Sequence, residues 1–170
     1  NATTSIQNPY AQGNGWFVDK LTYVADANAE YAGVGKIDVS HEAVADKKFE
    51  PILGQTQTND STARVVLTKY EPNNMTYTVN STKGGVVVFS EVYYPGWTAT
   101  IDGQPAELGR VNYILRALNV KAGKHEVVLD FHPTSISTTE TIAYAALIVL
   151  LLAICVAIYS EKKKQKITKE

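Results

Sequence analysis

The spacing of apolar positions changes character along this chain. Through residues 62–132 they alternate with polar ones in short stretches separated by turn-forming residues, and through residues 142–159 they run without interruption. Alternation with a period of two marks a strand with one wet and one dry face, whereas a long unbroken apolar run marks a helix with apolar surroundings.

The alternating part reads as a series of strands. Residues 62–70 (TARVVLTKY) are β-branched and aromatic, and Pro72, Asn73 and Asn74 supply a turn. Residues 76–80 set Tyr77 and Val79 against polar neighbours. Lys83-Gly84-Gly85 then turns the chain into residues 86–92 (VVVFSEV), whose first four residues are all apolar. Such a run predicts a strand buried on both faces, near a sheet centre. Residues 97–101 (WTATI) alternate into Asp102-Gly103. Asp-Gly after an alternating strand is a strong hairpin signal, because a type I′ turn needs positive φ at both positions. Residues 112–120 (NYILRALNV) predict the next strand. Ala122-Gly123-Lys124 turns into residues 125–132 (HEVVLDFH), where Val127, Leu129 and Phe131 share a face and Pro133 ends the run. Short strands of this kind with frequent turns predict a mainly β fold, an antiparallel β-sandwich of jelly-roll type.

Upstream the pattern is mixed. Residues 1–15 are a polar lead-in, and residues 16–24 (WFVDKLTYV) predict a first strand. Residues 26–33 (DANAEYAG) predict a short helix with Asp26 as N-cap and Gly33 as its stop. Residues 43–50 read as a short strand or extended link, and residues 54–61 as a loop.

The run from Ile142 to Tyr159 holds no charge. As a helix it extends roughly 27 Å, about the thickness of a bilayer's hydrocarbon core. Tyr144 and Tyr159 lie near its ends, where amphipathic rings favour the headgroup level. A buried core helix would satisfy the same length, but Lys162, Lys163, Lys164, Lys166 and Lys169 crowd its C-terminal end. Lysines in that position are the positive-inside signal. The expected division is an outer β-sandwich domain over residues 1–138, a membrane helix over 139–160 and a basic cytoplasmic tail over 161–170.

Charge sharpens this division. Residues 1–138 carry 11 Lys or Arg against 14 Asp or Glu, whereas residues 160–170 carry five Lys against two Glu. A mildly acidic outer domain gives no reason to expect nucleic acid as a partner, and the lysine tail suits contact with anionic lipid. The single cysteine, Cys155, lies inside the apolar run, so neither an intrachain disulfide nor a cysteine metal site is available. Four Asn-X-Ser/Thr triplets begin at Asn1, Asn59, Asn74 and Asn80, which chance produces readily in a chain rich in Asn and Thr. The chain begins at Asn1 with no targeting segment. A domain outside a membrane must be sent there, so the expectation is a C-terminal piece of a longer protein with a signal sequence or membrane helices upstream.

Several motifs in residues 86–133 carry a family resemblance. They are Phe89-Ser90-Glu91, Tyr93-Tyr94-Pro95-Gly96-Trp97, Ile101-Asp102-Gly103, Tyr113-Ile114-Leu115-Arg116-Ala117 and Ala122-Gly123-Lys124-His125. In this order they resemble the C-terminal signature of the YfhO-type family of bacterial multi-span membrane proteins. Gly13 to Val18 and Asp46-Lys47-Lys48-Phe49 resemble members from gut-type Bacteroidetes. The resemblance implies the last outer domain and final helix of a polytopic protein in the bacterial inner membrane. It also implies a glycosyltransferase architecture that uses polyprenyl-phosphate sugars and acts on cell-envelope polymers. Catalytic carboxylates in transferases of that architecture sit in an outer loop near the first membrane helices, so none is carried over to this chain. The implied partners are the lipid bilayer, upstream membrane helices of the same protein, and envelope glycan or lipid-linked sugar, with no cofactor.

Chemistry-bearing residues are few. His41, His125 and His132 are the only histidines, and alternation puts His125 and His132 on opposite faces of one strand, which favours structural or surface roles. Ser90-Glu91 lacks a nucleophile elbow, and Gly33-Val34-Gly35 lacks the third glycine of a dinucleotide loop. Glu91, Asp102 and Glu107 could be grouped as a glycosidase pair, yet no spacing fixes their separation. No catalytic residue is expected in this segment. Tyr93, Tyr94 and Trp97 offer aromatic rings beside polar groups, the means by which proteins hold sugars, although aromatics at a strand–turn–strand junction also fill cores. Arg110 and Arg116 can each take a phosphate or carboxylate in bidentate fashion, or form salt bridges to Glu91 or Asp102. These five residues are the candidates for contact with glycan or with the membrane part of the protein.

Overall fold

The computed structural model describes residues 8–56 and 59–167 of the chain. It divides into two units, one ending at His132 and one starting at Pro133.

Among its described residues the first unit has eleven strands, in order β1 (Gly15–Phe17), β2 (Lys20–Val24), β3 (Glu42–Asp46), β4 (Arg64–Glu71), β5 (Asn74–Ser81), β6 (Gly85–Val92), β7 (Trp97–Ile101), β8 (Gln104–Ala106), β9 (Gly109–Val111), β10 (Leu115–Val120) and β11 (Gly123–Phe131). One antiparallel sheet runs β1-β6-β10-β9 and the other β4-β5-β11-β7-β8. The chain changes sheet between β5 and β6, β6 and β7, β8 and β9, and β10 and β11, which gives the jelly-roll-like sandwich expected. The Asp102-Gly103 hairpin forms as anticipated: Ile101 faces Gln104, and φ is 51° at Asp102 and 76° at Gly103.

Two apolar clusters lie on opposite sides of the four-stranded sheet. Val87, Phe89 and Leu118 meet Tyr77, Val79, Val127 and Leu129 of the second sheet, and the Tyr77 and Phe89 rings contact edge to face at 4.8 Å. An aromatic pair of this geometry contributes about 1 kcal/mol beyond its buried area. Val86, Val88 and Ala117 pack the other way, onto Ala43, Ala45, Phe49 and Leu53. This is why β6 opens with four apolar residues: Val86, Val87, Val88 and Phe89 are all shut off from solvent.

The layer that covers this outer face is where the pattern misled. Residues 16–24 are not one strand. Trp16 pairs with Val88 in β1, whereas Lys20 pairs in parallel with Glu42 in β2, and the chain leaves the sandwich at Asp19. The His41 carbonyl accepts from both Asp19 N–H and Lys20 N–H there, which turns the backbone into the new layer. β2, the helix α1 (Ala27–Val34) and β3 form a β-α-β unit. Asp26 caps α1 as expected, its carboxylate accepting from Ala29 N–H at 2.9 Å. After β3 the chain makes a 3-10 turn (Lys47–Phe49) and a short helix α2 (Glu50–Leu53), which deliver Phe49 and Leu53 to the core.

A second difference concerns residues 112–120. Strand β10 begins only at Leu115, because Asn112 and Tyr113 both take left-handed φ, 50° and 72°, and turn the chain back from β9. In the second sheet, β4 lies at an open edge and carries a bulge between Leu67 and Lys69.

The second unit holds the helix α3 (Thr134–Ile167), which starts before residue 139 and continues past residue 160. Within its stretch Thr138–Ser160 an 18-residue window reaches a mean hydropathy of 2.8 with none of that window buried within the protein, so the helix is long and apolar enough to cross a membrane. Apolar side chains at this density are stable only in apolar surroundings, and their exposure separates this helix from a core helix.

Candidate glycan-contact cleft

Where β6 gives way to β7, the chain crosses from one sheet to the other through Tyr93, Tyr94, Pro95 and Gly96. Tyr93 N–H donates to the Ile114 carbonyl at 2.7 Å, and His132 N–H donates to the Gly96 carbonyl at 2.8 Å. Gly96 has φ 101°, a conformation that side chains rarely adopt, so glycine is what allows the crossing to be this short. The crossing splits the aromatic motif. Tyr93 turns inward and meets Phe49 edge to face at 5.7 Å. Tyr94 stays 62% exposed, with its ring 6.4 Å from Phe131. Trp97 is partly buried against the sandwich core, with its ring 5.2 Å from Phe131.

Tyr93, Tyr94 and Trp97 line one cleft of about 440 Å³, with Ile52, Pro105 and Glu107. That volume lies within the range of small-ligand sites.

Arg116 is buried against Trp97 and does not itself line the cleft. From β10 its guanidinium carbon lies 3.8 Å from the Trp97 ring centroid, and Nε donates to the Val92 carbonyl at 2.8 Å. The residue is 3% exposed, its Nη1 is buried with no hydrogen-bond partner, and it forms no ion pair among the described residues. Burial draws the guanidinium below its ordinary pKa, with the Glu91 carboxylate partly opposing it through space. The alternative partners named from sequence are therefore not used. Glu91 acts only at a distance, and Asp102 is occupied by His125 Nδ1 at 2.6 Å and by Glu126 N–H at 2.8 Å. A buried cation stacked on an indole and left with an unpaired donor favours an electron-rich oxygen nearby.

Arg110 goes elsewhere, although it pairs with Arg116 across β9 and β10. Its Nη2 donates to Glu30 Oε2 at 2.6 Å, and its guanidinium lies 5.7 Å from the Phe49 ring and 5.5 Å from the Tyr113 ring. Glu30 is fully buried, and its second oxygen accepts from Tyr113 N–H at 2.9 Å. Sequence reasoning passed over Glu30. Its one signal is the small-residue setting ANAEYAGV, which lets a helix approach its neighbours closely.

Each histidine pairs with an aspartate: His41 with Asp19, His125 with Asp102 and His132 with Asp130. His125 has acceptors at both ring nitrogens, Asp102 on one side and the Ala122 carbonyl at 3.3 Å on the other, which favours its protonated form and raises its pKa, first through the Asp102 hydrogen bond. Among the described residues no group of three or more His, Cys, Asp or Glu is arranged to hold a metal.

A family model described as "Bacterial membrane protein YfhO" matches residues 53–143, from α2 through the first turns of α3. Comparison with curated proteins and with solved structures returned no match.

Proposed function

Because this chain belongs to the YfhO family of bacterial membrane proteins, we propose that residues 1–138 are the non-catalytic outer domain of a membrane glycosyltransferase that uses lipid-linked sugars. In this reading the domain stands on the outer side of the bacterial inner membrane and holds envelope glycan or the lipid-linked sugar. The helix α3 spans the bilayer beside the upstream helices of the same protein, and the lysine tail lies in the cytoplasm. The observation that carries the reading is the Trp97 cleft, where an indole and an exposed tyrosine stand beside Glu107, with the buried Arg116 guanidinium stacked on that indole. Sugars present apolar C–H faces and hydroxyl groups together, and aromatic faces beside a carboxylate recognise both. The lysines that follow Ser160 support the orientation.

The test is glycosyl transfer in membranes from cells expressing the complete protein, with and without residues 1–138. Loss of transfer on deletion supports the reading, and unchanged transfer refutes it. A second reading is a membrane-tethered carbohydrate-binding module with no tie to catalysis. It is favoured by the cluster of Tyr93, Tyr94 and Trp97 along the cleft. Glycan binding that depends on Trp97, in a protein that transfers no sugar, would select it.

A further inference from the structure

A second cleft, distinct from that at Trp97, opens between β1 and β4. It encloses about 490 Å³ and is lined by Gln12, Trp16, Asp19, His41, Asn59 and Arg64 among others. Its walls combine one indole with groups of every hydrogen-bonding kind, a composition suited to a polar, ring-shaped ligand.

The hydrogen bonds within it divide these groups into spent and available. Trp16 Nε1–H donates to the Val39 carbonyl at 3.0 Å, so the indole offers the cleft only apolar ring surface. Asp60, at the margin, is saturated: one oxygen accepts from Thr62 N–H and Oγ1–H, the other from Ser81 Oγ–H, Thr82 N–H and Thr82 Oγ1–H. These donors hold its carboxyl well below the usual carboxylate range. Asp19 is likewise engaged, by Asn59 N–H at 3.0 Å and His41 Nδ1 at 2.9 Å. Both carboxylates of the cleft keep their charge, but their lone pairs are fully engaged by the protein's own donors.

Arg64 is not. Its Nη1 donates to the Ser61 and Ala63 carbonyls at 3.0 and 2.7 Å, which fixes the guanidinium at the head of β4. It forms no ion pair among the described residues. A guanidinium anchored through one nitrogen keeps its remaining edge for a planar anion, at little further cost in side-chain entropy.

We propose that this cleft binds an acidic saccharide, with the sugar ring against Trp16 and its carboxylate on Arg64. The site is independent of the Trp97 cleft and of the glycosyltransferase reading.

The experiment is calorimetric titration of the full chain in detergent with trigalacturonate, with the methyl ester of the same trimer, and with inorganic phosphate. Trigalacturonate is expected to bind. The uncharged ester and the Arg64→Gln variant are each expected to weaken binding at least tenfold, the factor that loss of one charge-assisted bidentate contact produces. Phosphate alone is expected not to displace the trimer, and Trp97→Ala to leave its affinity unchanged. In a Trp97→Phe background Trp16 is the sole tryptophan, and its emission should shift on binding. Equal affinity for acid and ester, indifference to Arg64→Gln, or displacement by phosphate would overturn the proposal. So would loss of binding with Trp97→Ala, or a silent Trp16. Failure here leaves the transfer assay untouched, so the two readings fall separately.

Discussion

Glu30 and Arg110, eighty positions apart in sequence, meet at 2.6 Å where the carboxylate is wholly out of solvent. The contact locks the β-α-β layer to an edge strand of the sandwich, and the same carboxylate holds the Tyr113 amide of the strained turn. Removing one partner leaves the other charge buried alone. Glu30→Ala is therefore expected to cost about 3 kcal/mol, whereas Glu30→Leu combined with Arg110→Met should cost less than the sum of the single changes. Urea unfolding of the full chain in detergent, followed by tryptophan fluorescence, measures both, and additive losses would contradict the coupling.

Arg116 separates folding from binding. It is a buried cation with an unpaired donor, so Arg116→Met, which keeps the stem packed on Trp97, should change stability by no more than about 1 kcal/mol. The same variant removes the cation that orients the Trp97 ring and should weaken glycan affinity at the cleft through that ring. A large loss of stability with affinity retained would make Arg116 a purely structural residue.

The Asp102–His125 pair makes stability depend on pH. His125 has a raised folded pKa, so its contribution is complete below the unfolded value of 6.5 and fades as pH climbs through the folded value. Asp102 has a lowered folded pKa, from its bonds to His125 and to Glu126 N–H, so its contribution is present above 3.8 and fades as pH falls. The excess in unfolding temperature of the native chain over His125→Gln should thus be greatest between about pH 4 and 6.5, and shrink on either side. A difference that does not vary with pH would exclude the ion pair as its source.

The sandwich core contains a polar atom with little to hold it. Tyr77 is fully buried and among the described residues its hydroxyl reaches only Met75 Sδ, at 3.6 Å, while burial pushes its pKa up to about 12. Tyr77→Phe should be within about 1 kcal/mol of neutral, because a hydroxyl bonded only to sulfur gains little over water. Phe89→Ala, at the ring that Tyr77 meets, should cost about 3 to 5 kcal/mol by opening a cavity. Thermal unfolding of the two variants side by side checks the contrast.

What the sequence made legible was local. Asp102-Gly103 specifies its own hairpin, Asp26 its own helix cap, and Val86 to Phe89 their burial on both faces, because each depends on residues within a turn or a strand. Alternation also ran straight through Asp19, although the chain changes layer there, since the cause is a carbonyl at His41 that no neighbour in sequence announces. Glu30 read as an ordinary helix residue because the arginine that permits its burial lies on β9. At the candidate cleft, the grouping of Tyr93, Tyr94 and Trp97 followed from their adjacency. The division of labour between Arg110 and Arg116 did not: it depends on whether Glu30 or Trp97 lies within reach.

The bulge at Thr68 has a consequence for life in company. An eight-residue strand at an open sheet edge, with Val66 and Tyr70 exposed, is a template on which a second copy could extend the sheet. The bulge breaks the register midway along that edge, and Lys69, bridged to Glu71 at 3.0 Å, puts charge beside the break. Many copies confined to one membrane surface can therefore crowd together without zipping into a continuous sheet.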